Sequence, residues 1–353
     1  MVLICDTQDI TYLSGVREGV SWLAIWDGGC FAVTRHMLIR EVEQEIGDCE
    51  LLLPTKRSSD PALVELFLVT QLKCRGFESV VVDPNRISAA SYFELEKFIH
   101  TAGLDLVPMP RLVDPLRQRK DPLELHLITR CVMIAERAFS GLIEAGAAGL
   151  VGRSELEIAR ELEARMLELG ADRQGFPDSG IIVASGPNSA SAHHSPGERP
   201  VGNGEPLLID WGAEVSGYRS DMTRTLFLGS IPEFAKRAYQ TVESALEAAA
   251  AVLRTGAKMG DVDRAARRAV TAAGYQEFHY GVGHGIGLAI HEGPWLRAHS
   301  EELLEPGMIT TVEPGVYLPD IGGIRIESIY ALSERATDRI DRLPVAMDQM
   351  ILD

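Results

Sequence analysis

The sequence predicts an α/β domain followed by a larger α+β domain, and three observations carry that prediction. In the first third, short apolar runs alternate with segments of helical spacing, the pattern of a compact α/β unit. Near "LVDPLRQRKDPLELHL" the composition turns charged and gains Pro115 and Pro122, which marks a boundary at about residues 117 to 120. Beyond it, long helical patterns are mixed with strands that fold back on themselves about short turns, an α+β arrangement.

The elements follow in order. "VLIC" (2–5), "SWLAIW" (21–26), "CFAVT" (30–34), "ELLLP" (50–54), "SVVVDP" (79–84) and "DLVPMP" (105–110) read as strands, with "DGG" as the turn between the second and third. Residues 36–45, 61–74 and 89–102 carry apolar residues three and four apart and read as helices. A long helix is predicted over 122–146, and further helices over 154–170, 233–254 and 261–273. Strands are predicted over 180–185, 206–213, 219–228, 308–317 and 323–332. The domains are therefore expected at 1–117 and 118–353.

Bulk properties exclude several function classes. The 353 residues carry a net charge of −17, which disfavours nucleic acid and anionic membrane surfaces as partners, since both reward a basic face. No apolar run approaches the length of a membrane span, and the first residues lack the pattern of a signal peptide, so the expected location is the cytoplasm. Cys5, Cys30, Cys49, Cys74 and Cys131 are odd in number and form no CxxC pair, as expected of reduced structural thiols.

The chemistry begins with Asp210, in the apolar run of "LLIDWGAEVSGYRSDMTRT" (207–225). A lone ionised carboxylate inside such a strand costs several kcal/mol unless a cation or dense hydrogen bonding supports it. Folded about "EVSG", the stretch is expected to bring Asp210 and Asp221 together as direct cross-strand neighbours. In "ITTVEPGVYLPDIGGIRIES" (309–328), Glu313 and Glu327 are symmetric about Asp320, so a second hairpin presents a second acidic pair. Between the two lies "GVGHGIGLAIHEGP" (281–294), whose glycines allow close backbone approach and place His284 and His291. Four carboxylates and an imidazole make a hard, oxygen-rich donor set suited to two divalent ions such as manganese, cobalt or zinc. Such ions would neutralise Asp210. Arg325, two residues before Glu327 on an alternating strand, faces the same side and could brace the site, pair with its carboxylates or meet substrate.

These residues resemble the metallopeptidases of the pita-bread fold: Xaa-Pro dipeptidase (prolidase), aminopeptidase P and methionine aminopeptidase, with creatinase as a metal-free relative. "YLSG" (12–15) resembles the start of a creatinase-type N-terminal domain and "RQRKDPLEL" the family's interdomain junction, while "IDWGAEVSGYRSDMTRT", "GHGIGLAIHE", "VEPGVY" and "IRIES" resemble its metal motifs in order. The resemblance implies that Asp210 binds one manganese-type ion, His284 and Glu313 the other, and that Asp221 and Glu327 bridge both. It further implies a metal-activated water that attacks a peptide carbonyl, with Glu313 as proton shuttle, His291 as oxyanion donor and His193 (or adjacent His194) lining the substrate pocket. Tyr218 matches a family tyrosine of the substrate site.

Arg297 could receive a substrate carboxylate or be a surface arginine, and Trp211 and Trp295 are either pocket walls or packing residues. His36, His100, His126 and His299 read as surface or helix-end residues. "SAH" (191–193) stands where the family often has "LPH", and Tyr280 where it often has histidine; both positions bear on proline selectivity. The function implied is hydrolysis of Xaa-Pro dipeptides or short peptides, by a homodimer as in the two-domain relatives. Hydrolysis of a non-peptide amide, as by creatinase or ectoine hydrolase, and a non-catalytic binding protein on the same fold are the alternatives.

Overall fold

The computed structural model of the chain describes residues 1–54, 61–177 and 179–353. The chain divides into two compact units, Met1–Arg117 and Gln118–Asp353.

The first unit is built on a six-stranded mixed sheet. It comprises β1 (Val2–Ile4), α1 (Thr7–Ser14), β2 (Val20–Trp26), β3 (Gly29–Thr34), α2 (Ile39–Glu45), β4 (Glu50–Leu52), α3 (Pro61–Cys74), β5 (Ser79–Val82), α4 (Ala89–Thr101) and β6 (Asp105–Pro108), with strand order β4-β3-β2-β1-β5-β6. Trp26 pairs with Gly29, so Asp27 and Gly28 form a two-residue hairpin turn, and Gly28 takes a φ of 103° that a side chain would resist. Alternate strand residues feed two cores: Leu3, Ala24 and Phe31 pack with α3 and α4 residues such as Leu68 and Leu95, while Ile4, Leu23 and Ala32 pack with Ile10 of α1 and Val42 of α2. Both faces being covered, the strands read as apolar runs rather than as clean alternation. Helix α1 was not among the predicted elements. Asp6 caps it by accepting the Gln8 and Asp9 N–H groups, but its eight residues offer little periodicity to read.

After α5 (Asp114–Gln118), the second unit opens with α6 (Pro122–Ile143) and α7 (Glu155–Glu168), both started by capping boxes, Asp121 with Glu124 and Ser154 with Glu157. Then come β7 (Arg173–Gln174), β8 (Ile182–Ser185), β9 (Pro206–Trp211), β10 (Ala213–Val215), β11 (Tyr218–Arg219) and β12 (Met222–Leu228). A second helix pair, α8 (Glu233–Val252) and α9 (Met259–Ala272), precedes β13 (Gly283–Gly285), β14 (Glu292–Leu296), β15 (Ile309–Val312), β16 (Gly315–Leu318), β17 (Gly322–Arg325), β18 (Ser328–Leu332), β19 (Thr337–Arg339) and β20 (Ile351–Leu352). The sheets run β20-β12-β9-β8, β14-β13-β15-β18-β19, β11-β10-β7 and β16-β17. One apolar core joins these sheets to the helices: Phe139 of α6 stacks on Trp211 at 4.3 Å, and Phe227 meets Tyr239 of α8 edge-on. Each such buried ring stabilises the unit by roughly 1.5–3 kcal/mol.

The register corrects one expectation. Asp210 lies opposite Thr223, not Asp221, because the reversal is centred on Ser216 and Gly217, both at positive φ, and pairs Val215 with Tyr218. Moving the turn centre by one residue shifts the pairing by two, so the face is preserved: Asp221 is a diagonal neighbour of Asp210 on the same side. The long predicted strands are also divided. At Gly212 the chain leaves β9 for a separate small sheet, and a Cβ there would run into the Ser220 carbonyl.

Candidate metal centre

The second acidic pair sits where two strands change sheets. Val312 is opposite Ser328 in one sheet and Gly315 opposite Arg325 in the next, so the register continues across the break and puts Glu313 and Glu327 level with each other. Neither uses its N–H to pair with the other. Glu313 donates to the Val282 carbonyl at 2.7 Å and Glu327 to the Thr223 carbonyl at 3.1 Å, tying each to the segment that carries another acidic or imidazole group. His284 is set between glycines because a Cβ at 283 would overlap the Thr311 carbonyl and one at 285 the Gly293 carbonyl. Val282 is in turn held by its N–H to buried Asp263, 2.8 Å away.

A cavity of about 230 Å³ results, and Asp210, Asp221, His284, Glu313 and Glu327 all line it. Ligand-type atoms of Asp210, Asp221 and Glu327, and of His284, Glu313 and Glu327, lie within 4.8 Å of one another. The imidazole shows what the cluster lacks. His284 Nδ1 faces the Gly285 carbonyl at 3.0 Å; a carbonyl only accepts, so Nδ1 carries the proton and Nε2 of the neutral ring bears a lone pair. Burial, then His291, pushes the ring pKa down to about 3. That lone pair points at two more acceptors, Asp221 Oδ2 and Glu313 Oε1, each 3.5 Å away.

The carboxylates are under the same strain. Burial, then Glu327 and Asp210, holds Asp221 well above the usual range; burial, then Glu327, does the same to Glu313; burial, then Asp210, raises Glu327 to about 8. Asp210 Oδ1, Asp221 Oδ1 and Glu327 Oε1 are buried without a hydrogen-bond partner among the described residues. Converging acceptors of this kind are relieved either by shared protons or by cations, and this donor set of hard oxygens plus one imidazole fits divalent metal ions.

The surrounding side chains divide between the cavity and its support. His193, His291, Tyr280, Trp295 and Arg297 line it, with His291 edge-on to His284 at 4.4 Å and the Arg297 guanidinium 4.5 Å from the Trp295 ring. Burial lowers the pKa of His291, keeping a neutral ring with one N–H to donate. Arg325 is buried and reaches Asp210 Oδ2 at 2.7 Å, Thr223 Oγ1 at 3.0 Å and the Tyr317 hydroxyl at 2.8 Å. Tyr317 and Tyr280 share a hydroxyl contact of 2.8 Å, and the Tyr280 hydroxyl donates to the Glu313 carbonyl at 3.2 Å.

Other candidates lie elsewhere. The Tyr218 hydroxyl donates to Glu124 of α6 at 3.0 Å, which turns it away from the cavity it was expected to line. His194 contacts buried Glu155 at 2.8 Å, and Trp211 is core, its ring N–H donated to the Ala135 carbonyl. His36, His100, His126 and His299 are exposed. Thr223 and Tyr317 were not singled out from the sequence, although each is an even number of residues from an acidic group on its strand and so shares its face.

Comparison with known proteins finds peptidases similar to this chain. Residues 126–334 match the model of metallopeptidase family M24. A Xaa-Pro dipeptidase of Pyrococcus furiosus is 32% identical over 344 residues, covering 97% of this chain and 93% of that one. The solved structure of a Xaa-Pro dipeptidase from Bacillus anthracis is similar with a TM-score of 0.91 and 29% identity, over 99% of this chain and 94% of that one. An X-Pro aminopeptidase from Thermotoga maritima gives 0.86 and 27%, over 98% and 96%. Fold, acidic cluster and sequence thus agree on a pita-bread metal-dependent peptidase, and the chain belongs to metallopeptidase family M24.

Proposed function

We propose that the chain is a dinuclear Xaa-Pro peptidase acting on dipeptides or short peptides, with Asp210, Asp221, His284, Glu313 and Glu327 as the ligands of two divalent ions, manganese by preference. The observation that carries this reading is the His284 lone pair 3.5 Å from two carboxyl groups, buried Asp221 and partly exposed Glu313, an arrangement that bound cations make favourable with every group in its metal-ligating form. Bound ions supply Lewis acidity and a water that ionises near neutral pH. Glu313 is the least enclosed of the acids that flank His284, with 17% of its side chain exposed, and takes up the proton of the attacking water before passing it to the leaving nitrogen. The neutral His291 ring donates its N–H to the carbonyl oxygen as negative charge develops there. His193 bounds the substrate, and Arg297, braced against Trp295, receives the free carboxylate of a dipeptide.

The test is hydrolysis of matched Xaa-Pro, Xaa-Ala and Met-led peptides by chelated protein to which manganese, cobalt or zinc is returned. Metal-dependent cleavage confined to Xaa-Pro substrates is expected. Glu313→Ala should abolish turnover and lower metal content with the fold retained; full activity in that variant sinks the assignment.

A further inference from the structure

A second cavity, of about 270 Å³, lies wholly within the first unit. One wall carries a residue out of keeping with its setting. Glu65 occupies the stripe of α3 that also presents Leu68, Val69 and Leu72 to the core, and it is only 3% exposed. Its Oε2 has no hydrogen-bond partner among the described residues, and burial, then Glu94, raises its pKa to about 7. A buried carboxyl oxygen left without a hydrogen bond carries an unrecovered desolvation cost, so a donor from outside the chain has something to gain there.

The same cavity has a contrasting polar wall. Ser88 caps the N-terminus of the thirteen-residue helix α4 and its hydroxyl donates to Ser91 Oγ at 3.0 Å, while exposed Arg35 adds a guanidinium; Arg86 is already engaged with Asp114 at 2.8 Å. Helix N-termini and arginines favour anions. Trp22, Val64 and Ile87 supply an apolar surface. Cys5 also lines the cavity, but burial and then neighbouring carboxylates hold its thiol up at about 12, so it is no nucleophile and the site binds rather than reacts.

We propose that this cavity binds a free aliphatic α-amino acid, its ammonium on Glu65, its carboxylate at Arg35 and the Ser88 and Ser91 end of α4, and its side chain against Trp22, Val64 and Ile87. An inorganic anion would leave Glu65 unsatisfied, and a simple amine would leave the α4 end unused. Only a ligand with both charges on an apolar body meets all three surfaces. Amino acids are what a peptidase releases, so the site would report product level to the protein; binding itself is independent of the peptidase reading.

The test is calorimetric titration of L-leucine into the metal-loaded full chain, beside 4-methylpentanoate, which lacks the amine, and 3-methylbutylamine, which lacks the carboxylate. Leucine should bind at least about tenfold more tightly than either analogue, and Glu65→Gln and Arg35→Gln should each weaken it about tenfold, the loss of one charge-assisted contact. Both variants should keep wild-type dipeptide turnover without added leucine, and His291→Ala should keep the binding event. Absence of leucine binding, binding unchanged in both Glu65→Gln and Arg35→Gln, or binding abolished by His291→Ala alone would overturn the proposal. Should Glu65→Gln fail to fold, the exposed Arg35→Gln decides. Loss of peptidase activity would bear on the metal cavity and not on this one.

Discussion

Arg325 binds one oxygen of Asp210, Oδ2 at 2.7 Å, and leaves the other, Oδ1, buried and without a hydrogen-bond partner among the described residues, beside Asp221. The guanidinium thereby fixes which oxygen faces the acidic cluster, while its remaining donors rest on Thr223, Tyr317 and the Ala192 carbonyl at 3.2 Å. The fork spans three side chains and one backbone carbonyl, from four separate segments. A point charge cannot do the same.

Arg325→Lys keeps the charge and loses the fork. Removing an outer partner of a metal ligand typically costs about 10–100-fold in metal affinity or activity. The expected outcome is a drop of that size in kcat/KM together with weaker manganese retention, read by activity and metal analysis after dialysis. Wild-type values on both counts would show that Asp210 does not depend on this arginine.

His193 and His194 should separate cleanly. His194 contacts Glu155, which is buried and also accepts from Ser185 and Asn188, so His194→Ala should lower stability by about 1–3 kcal/mol and spare turnover. His193 is exposed and lines the cavity, so His193→Ala should raise KM or reduce kcat with the melting temperature unchanged. Thermal melts and dipeptide kinetics on the pair check both. The reverse pattern would exchange their roles.

Metal removal should make stability fall as pH rises. Without cations, Asp221, Glu313 and Glu327 have folded pKa values above their unfolded ones, Glu327 at about 8. The folded state then holds more protons, so this cluster's contribution is present below the unfolded value near 4.5 and is lost as pH rises through about 8. Chelated protein should therefore melt at a lower temperature at pH 8.5 than at pH 6, and returning manganese should remove most of that difference. Scanning calorimetry with and without metal measures it; a chelated protein that is more stable at the higher pH would contradict it.

Much of this was readable from residue order because alternation along a strand survives errors of register. Asp210 and Asp221 share a face whether the turn is centred one place earlier or not, and Glu313 and Glu327 are symmetric about Asp320 in the sequence as in the register. What alternation does not encode is where a strand leaves its sheet. The break at Gly212 follows from close approach to the Ser220 carbonyl across the turn, and those at Glu313 and Glu327 from backbone bonds to Val282 and Thr223, segments that local alternation does not reach. Tyr218 shows the same boundary: its partner Glu124 lies on a helix 94 residues away, and nothing local announces it. The short helix α1 and the strands around His284 were hidden for a simpler reason, since three to eight residues carry too little period.

The unbroken register between Val312–Ser328 and Gly315–Arg325 has a bearing on how the molecule tolerates change in length. Residues added at the tip of that ribbon, between Leu318 and Gly322, extend a free end and leave Glu313 and Glu327 level with each other. A single residue removed from one arm, between Glu313 and the tip, draws that acid about 3.3 Å along its strand and turns it to the opposite face. The tip is thus a place for grafting loops, and the arms a ruler that sets the spacing of the acids.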